Sequence, residues 1–342
     1  MTNLFSVKNR IYLFLVLSTV LYAAQSFAQD PEFSQFYANP IYTNPAFAGS
    51  STVGRIVTNA RSQWPNIAGS LRTVSASYDE HFDVINGGIG IMAVQDEAGS
   101  GLLQSFSLKG IYSYQIILNR RLTMRAAIEG SINQKSINFG KLTFSDMIVL
   151  QQGFVYPTGE SEKLLNNNIW YPNFAAGGVI YSSKFYAGFA AHNITQPNQS
   201  FFDQKGSNSP NARAKDIIPI RYTAHAGLVI PLIQGNPNSE SNLWPNILYM
   251  KQRQYDQLNI GMYYNKGPFV VGVYYRQTSG NTDCMIALLG IRKDKLRFGY
   301  SYDRTLSNAS YGAPDSHEIS LAFELRKHSP KKTIRAIKCP EF

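Results

Sequence analysis

KLRFGYSYDR, residues 295–304, decides the fold. Leu296, Phe298, Tyr300 and Tyr302 fall on one side; Arg297, Gly299, Ser301 and Asp303 fall on the other. That period of two is a strand, because successive side chains of extended backbone point to opposite faces. Residues 317–325 repeat it, with Ile319, Leu321, Phe323 and Leu325 opposite Glu318, Ser320, Ala322 and Glu324. So does 122–133, where Leu122, Met124, Ala126, Ile128 and Ile132 oppose Thr123, Arg125, Glu129 and Ser131. In 221–230, Tyr222, Ala224, Ala226, Leu228 and Ile230 oppose Arg221, Thr223 and His225.

Alternation alone does not say which face meets water. Composition and targeting supply the sense. Only 16% of the 342 residues are charged, against ~25% in an ordinary soluble protein. The 21 tyrosines and 20 phenylalanines are an aromatic excess. Residues 1–28 read as a signal peptide, with Lys8 and Arg10 before the apolar run 11–24 and a small-x-small site at Ser26-Phe27-Ala28. That run is shorter than the ~20 residues of a spanning helix. An exported, weakly charged, aromatic-rich chain of alternating strands is expected to turn its apolar face to lipid and its polar face to a lumen.

The expected fold is therefore an all-β transmembrane outer-membrane β-barrel of about fourteen antiparallel strands over residues 51–325. The strands centre near 52–61, 71–79, 88–96, 103–116, 122–135, 173–182, 185–193, 220–231, 246–253, 257–265, 268–277, 283–291, 295–304 and 316–325. Short turns follow even-numbered strands, and the longer polar stretches 136–172, 194–219 and 305–315 follow odd-numbered ones. Barrels place short turns in the periplasm and long loops outside. Stretch 232–245 is an exception, long on the short side.

Residues 29–50, QDPEFSQFYANPIYTNPAFAGS, fit neither helix nor strand. Pro31, Pro40 and Pro45 interrupt them. Phe33, Phe36, Tyr37, Tyr42 and Phe47 carry too much apolar surface for a solvated tail. Asn39-Pro40 and Asn44-Pro45 favour turns, and Gly49 closes the stretch. We read this as an N-terminal plug or docking segment. Its aromatics need apolar company, from one another or from small-residue strips such as Gly177, Gly188, Gly227 and Gly261. The inward charges Lys109, Arg125, Glu129, Arg221, Arg297, Asp303, Glu318 and Glu324 are expected to pair with one another or with Asp30 and Glu32.

The formal charge is +10. Lys8 and Arg10 account for two of these charges, and a basic tail at 326–342 accounts for five more. That tail holds Arg326, Lys327, Lys331, Lys332, Arg335 and Lys338 against Glu341, so residues 29–325 carry only +3. The basicity belongs mainly to a tail, suited to an acidic partner or anionic lipid, and not to a nucleic-acid surface. Two cysteines, Cys284 and Cys339, make no disulfide framework. The five histidines show no metal-ligand spacing. Asp79-Glu80-His81 reads as solvated turn charge, and Gly87-Gly88-Ile89-Gly90 as a strand with small or kink positions. Ser316-His317 near Asp303 and Asp315 matches no hydrolase motif. No catalytic residue, cofactor or metal is expected.

The opening Gln29, Asp30, Pro31, Phe33, Ser34, Gln35, Phe36, then Asn39-Pro40, then Asn44-Pro45-Ala46-Phe47-Ala48-Gly49, resembles the mature start of the PorP/SprF family. These are outer-membrane proteins of the type IX secretion system of Bacteroidetes. Residues 298–303 and 316–321 resemble that family's closing strands. The resemblance implies a non-enzymatic outer-membrane component, supporting secretion or surface attachment of cargo, in some members in gliding motility. It implies as partners cargo bearing a C-terminal sorting domain, periplasmic ring proteins, a peptidoglycan-binding OmpA-type protein and outer-membrane lipids. Both termini are expected on the periplasmic side. A passive outer-membrane porin or solute transporter is the alternative, and a plug is what a simple porin does not require.

Overall fold

The computed structural model describes residues 30–51, 53–67, 69–142, 148–149, 153–154, 167–201, 216–232, 241–279, 283–306 and 315–325. The expected signal peptide at 1–28 and basic tail at 326–342 lie outside these residues. The chain divides between Asp30 and Pro31, and the barrel unit runs from Pro31.

Fourteen strands make one closed antiparallel sheet. They are β1 (Arg55–Gln63), β2 (Leu71–Phe82), β3 (Gly87–Ala98), β4 (Leu103–Ile117), β5 (Thr123–Ile137), β6 (Asn168–Tyr181) and β7 (Phe185–His192). The second half is β8 (Arg221–Leu228), β9 (Ser241–Gln252), β10 (Tyr255–Lys266), β11 (Phe269–Thr278), β12 (Cys284–Lys293), β13 (Leu296–Thr305) and β14 (Ser316–Glu324). Each pairs with its neighbours in sequence. Closure comes from β1 on β14, in register from Arg55↔Glu324 to Gln63↔Ser316. Such closure leaves no open edge, which a membrane interior demands.

Burial follows the alternation. On β11 the pattern is strictly exposed–buried, with Phe269, Val271, Val273 and Tyr275 outward. Phe185, Phe269, Phe298 and Phe323 are exposed near the short-turn end, and Trp170, Phe174, Tyr249 and Tyr275 near the other. These are the aromatic girdles of an outer-membrane barrel.

Two prolines explain where strand bounds depart from expectation. β9 begins at Ser241, so the last five residues of the long connection expected at 232–245 are strand, while 233–240 lie outside the described residues. Pro245 pairs with Met262 on β10. On its other side the β8–β9 ladder stops at Gly227↔Asn246 and resumes at Ile230↔Leu243. Pro245 has no N–H to give there; on the opposite side of β8 the ladder with β7 continues, Val229 N donating to Lys184 O at 2.7 Å. Pro172 lies in β6 above Ala176, where β6 pairs with β5 but not with β7. A strand edge is where a missing donor costs least.

The lumen wall is not uniformly polar. On β9–β12 the inward side chains include Trp244, Leu248, Tyr263, Val270, Tyr274, Ile286 and Leu288, all buried. This corrects the expectation of a polar lumen with glycine strips as its apolar relief. FVVGVYY (269–275) and CMIALLGI (284–291) are apolar on both faces because both faces meet apolar surroundings: lipid outside, aromatic rings inside.

Candidate functional site

Residues 33–50 are buried throughout, and their contacts are to inward-facing side chains. Each Asn-Pro step opens a short helix. Pro40–Thr43 is one α-turn and Pro45–Phe47 one 3-10 turn, with proline first in both. A proline there loses no helical bond and has φ already set. Asn44 caps the second turn, its Oδ1 accepting from Ala46 N at 2.9 Å. Thr43 Oγ1 donates to Phe36 O at 2.9 Å, and Tyr42 OH donates to Pro31 O. The segment thus folds on itself before it meets the wall.

At the end of the barrel where the longer connections lie, Ser34 is the hub of an ionic cluster. Its N–H donates to Glu318 Oε2 at 2.6 Å. Its hydroxyl donates to Asp303 and accepts from Arg61 and, at 2.7 Å, from Arg276 Nη2. That uses the hydroxyl's one hydrogen and both lone pairs. Arg61 Nη1 is 2.9 Å from Asp303 and 3.5 Å from Glu318; Arg276 Nη1 is 3.2 Å from both Asp303 and Glu32. Gln35 adds bonds from Nε2 to Glu318 O (3.0 Å) and Ser301 Oγ (3.2 Å), and accepts from Ser320 at 2.6 Å. Bonds to ionised groups in so buried a place are the strong kind, and losing one partner strands the rest.

In mid-barrel the aromatics find rings. Phe36 and Tyr37 each lie 5.7 Å from Tyr274, and Tyr37 lies 5.5 Å from Tyr263, itself stacked on Trp244. Phe33 meets Tyr42 edge-on at 5.0 Å. Lys109 and Arg221 sit over the Tyr42 ring at 5.3 and 5.0 Å. Phe47 packs on His225 and Tyr186. Asn39 donates to Ser75 Oγ at 2.9 Å.

Asn44 Nδ2 reaches Gly178 O (3.1 Å), Phe189 O (3.2 Å) and His225 Nε2 (3.0 Å). A Cβ at Gly177 would stand 2.2 Å from Asn44 Oδ1. Gly177 and Gly188 therefore make room for this carboxamide and the His225 ring it meets, while Gly227 and Gly261 lie against the rings of Tyr186 and Tyr274, aromatics of the wall and not of the segment. Asn44→Ala removes the cap and these wall contacts together. We expect a loss of about 1–3 kcal/mol, read as a lower urea midpoint of the folded barrel, with Asn44→Asp recovering only the cap.

At the short-turn end, Gly49 N donates to Asp79 Oδ2 at 2.9 Å, and Arg55 grips Asp79 at 3.1 and 3.0 Å. Asp79 is 1% exposed, so it is a buried anchor, not a solvated turn charge. Ala48 O accepts from Arg125 Nη1 (2.8 Å) and Ser113 Oγ (2.6 Å). Gly49 has φ +64°, and Gly88 lies against it: a Cβ on Gly88 would be 2.3 Å from Ala48 O. The Gly87–Gly90 run is thus where the segment's backbone touches the wall.

Of the expected lumen charges, Lys109, Arg125, Arg221, Asp303 and Glu318 meet the segment. Glu129 pairs with Lys109 at 2.9 Å, and Arg297 pairs with Glu324. Asp30, half-buried, belongs to the preceding unit. The sequence reading missed Arg61, Arg276, Arg55, Asp79, Ser34 and Gln35. Ser34-Gln35 set between Phe33 and Phe36 was the available signal, because polar groups in an apolar run must find partners when buried. Ser316 points inward and His317 outward, where His317 meets Tyr300 OH at 2.8 Å. Strand neighbours on opposite faces do not act as a catalytic pair.

Glu32 and Ser34 lie at the longer-connection end, whereas Leu325, the last residue described, lies at the short-turn end beside Gly54. The two ends of the described barrel unit are therefore at opposite ends of the barrel.

The chain is similar in structure to the toluene transporter TbuX of Ralstonia pickettii (TM-score 0.48, 9% identity, covering 84% of this chain and 93% of that one). It is also similar to the outer-membrane protein Omp33 of Acinetobacter baumannii (TM-score 0.46, 8% identity, 81% and 100%). A third is a FadL homologue of Pseudomonas aeruginosa (TM-score 0.43, 11% identity, 82% and 93%). No curated protein matches the sequence. The family model of the type IX secretion system membrane protein PorP/SprF matches residues 25–323, nearly the whole barrel and its inward segment, and the chain belongs to that family.

Proposed function

We propose that Pro31–Ser50 is a plug that closes the lumen, and that the protein serves type IX secretion by holding cargo and machinery instead of conducting solutes. The observation that carries this is the anchoring of the segment at both ends of the barrel. Ser34 and Gln35 are fixed to Glu318 and Asp303 at one end, and Ala48 and Gly49 to Arg125 and Asp79 at the other. A mobile constriction of a porin has no use for so many buried partners. In this reading the short turns face the periplasm. Leu325 then stands on the periplasmic side, the basic tail 326–342 serves to dock the ring proteins and the OmpA-type protein, and cargo is held through its C-terminal sorting domain.

Planar-bilayer recording tests the plug. The intact protein is expected to be silent, and deletion of residues 29–49 to give stepwise conductance in whatever fraction still folds. Steady large conductance from the intact protein would sink the reading in favour of a passive porin. Pull-down from outer membranes with and without residues 326–342 tests the docking; unchanged recovery of machinery and cargo would remove the tail from it.

A further inference from the structure

The short turns carry an uneven charge. Arg120, Arg121, Lys184 and Lys266, with Arg292, Lys293 and Lys295, stand at that end, against Glu80, Asp83, Asp294 and Glu324 among the described residues. Three of these cations, with no acid on either turn, flank one hollow of about 1080 Å³ between the β4–β5 and β6–β7 turns. Asn119, Arg120, Arg121, Ser182, Lys184 and Phe185 line it.

Both turns are pinned by their own side chains. Asn119 Oδ1 accepts from the N–H groups of Arg121 and Leu122 at 2.8 Å each. Ser182 Oγ accepts from Lys184 and Phe185 N–H at 3.2 Å each. The polar turn side chains are thus spent on shape, and the two guanidinium groups and the ammonium are exposed. Directly beside them the outward face turns apolar, with Ile116 and Leu118 on one strand end and Phe185 and Leu228 on others, all exposed.

We infer that this hollow binds the phosphate-bearing headgroup of an anionic phospholipid in the leaflet met by the short-turn end. Arg120, Arg121 and Lys184 hold the phosphate oxygens, while Leu118 and Phe185 take the first part of the acyl chains. Guanidinium groups suit phosphate because their fork of donors matches its oxygens. Lys and Arg just beyond an apolar belt are the pattern that anionic lipid attracts. A lipid fits better than an acidic protein for a geometric reason. The cations recur on four of the short turns, β4–β5, β6–β7, β10–β11 and β12–β13, in more than one sector of the perimeter, as a surrounding leaflet does, whereas a single protein partner would cover one sector.

The test uses the full-length protein purified in mild detergent and offered cardiolipin, phosphatidylglycerol, phosphatidylcholine or lipopolysaccharide, with bound lipid counted by native mass spectrometry. Cardiolipin and phosphatidylglycerol are expected to stay bound in preference to phosphatidylcholine. The triple variant R120Q/R121Q/K184Q should lose that preference, by about fivefold for each cation removed. The pair K293Q/K295Q, equally exposed but away from the hollow, should keep most of it. Heat-modifiable migration on gels checks that each variant is folded. Retention by the triple variant equal to wild type overturns the proposal. So does equal retention of phosphatidylcholine, a preference for lipopolysaccharide over both anionic phospholipids, or an equal loss in K293Q/K295Q.

Discussion

Arg276→Met is expected to lower the stability of the folded barrel by about 3–5 kcal/mol, the cost of breaking a buried ionic cluster from one side. Arg276 and Arg61 are the cations facing Glu32, Asp303 and Glu318 in this cluster, and the Asp303, Glu318 and arginine side chains are no more than 4% exposed. Removing Arg276 leaves three carboxylates around one guanidinium. It also takes from Ser34 Oγ its 2.7 Å donor and from Asn259 Oδ1 its 3.0 Å donor. The drop is read from the urea midpoint or from the temperature at which the compact, heat-modifiable form disappears. Cluster chemistry makes a second demand: Arg276→Met with Asp303→Asn should be less damaging than the sum of the single changes, since one uncompensated charge goes with its partner. Additive losses would mean that the two groups do not act on each other. Because Glu32 and Ser34 belong to the segment, the single variant should also expose residues 31–50 to protease while the strands stay resistant.

Gly88→Val is expected to unseat the segment without dissolving the barrel. A Cβ at Gly88 would lie 2.3 Å from Ala48 O and 2.6 Å from Gly49 Cα, and both are backbone atoms with no rotamer to change. The strand is held on both sides, Gly88 opposing His81 on β2 and Ser113 on β4. The segment yields, because its attachment there is a few hydrogen bonds while the strand's is two ladders. With it go the bonds of Ala48 O to Arg125 and Ser113 and of Gly49 N to Asp79. Bonds to charged groups are worth about 1.5–3 kcal/mol each. The expected signature is conductance in planar bilayers where the wild type has none, with heat-modifiability kept. Gly110→Ala is the control, as its nearest new contact is 4.0 Å away. A folded Gly88→Val protein as silent as wild type would show that closure does not depend on this close approach.

These two sites show where sequence reading stops. Arg276 ends VVGVYYR on β11, and nothing local says that it meets Asp303, a residue two strands away, or Glu32, which precedes the sheet. Asp79 beside Glu80 and His81 has the composition of a solvated turn. Its burial comes from Arg55 on the next strand and from Gly49 arriving over the wall. Pro172 and Pro245 shortened the expected strands because local propensity rejects proline in a ladder. Only pairing shows that each sits where a donor is least needed.

The sequence by itself determined the barrel. Lipid on one side and lumen on the other impose a period of two, and that period is local, so it survives in KLRFGYSYDR and its fellows without knowledge of any partner. It also marked residues 29–50 as a segment needing a receptacle, since five aromatics among three prolines fit no regular element. The tertiary structure alone decided where that segment goes and what holds it. Contacts such as Ser34 with Glu318, Asn44 with His225 and Gly49 with Gly88 join residues 39 to 284 positions apart. Such pairings exist only after the sheet has closed, because closure is what brings the first strand to the last and gives the segment walls on every side.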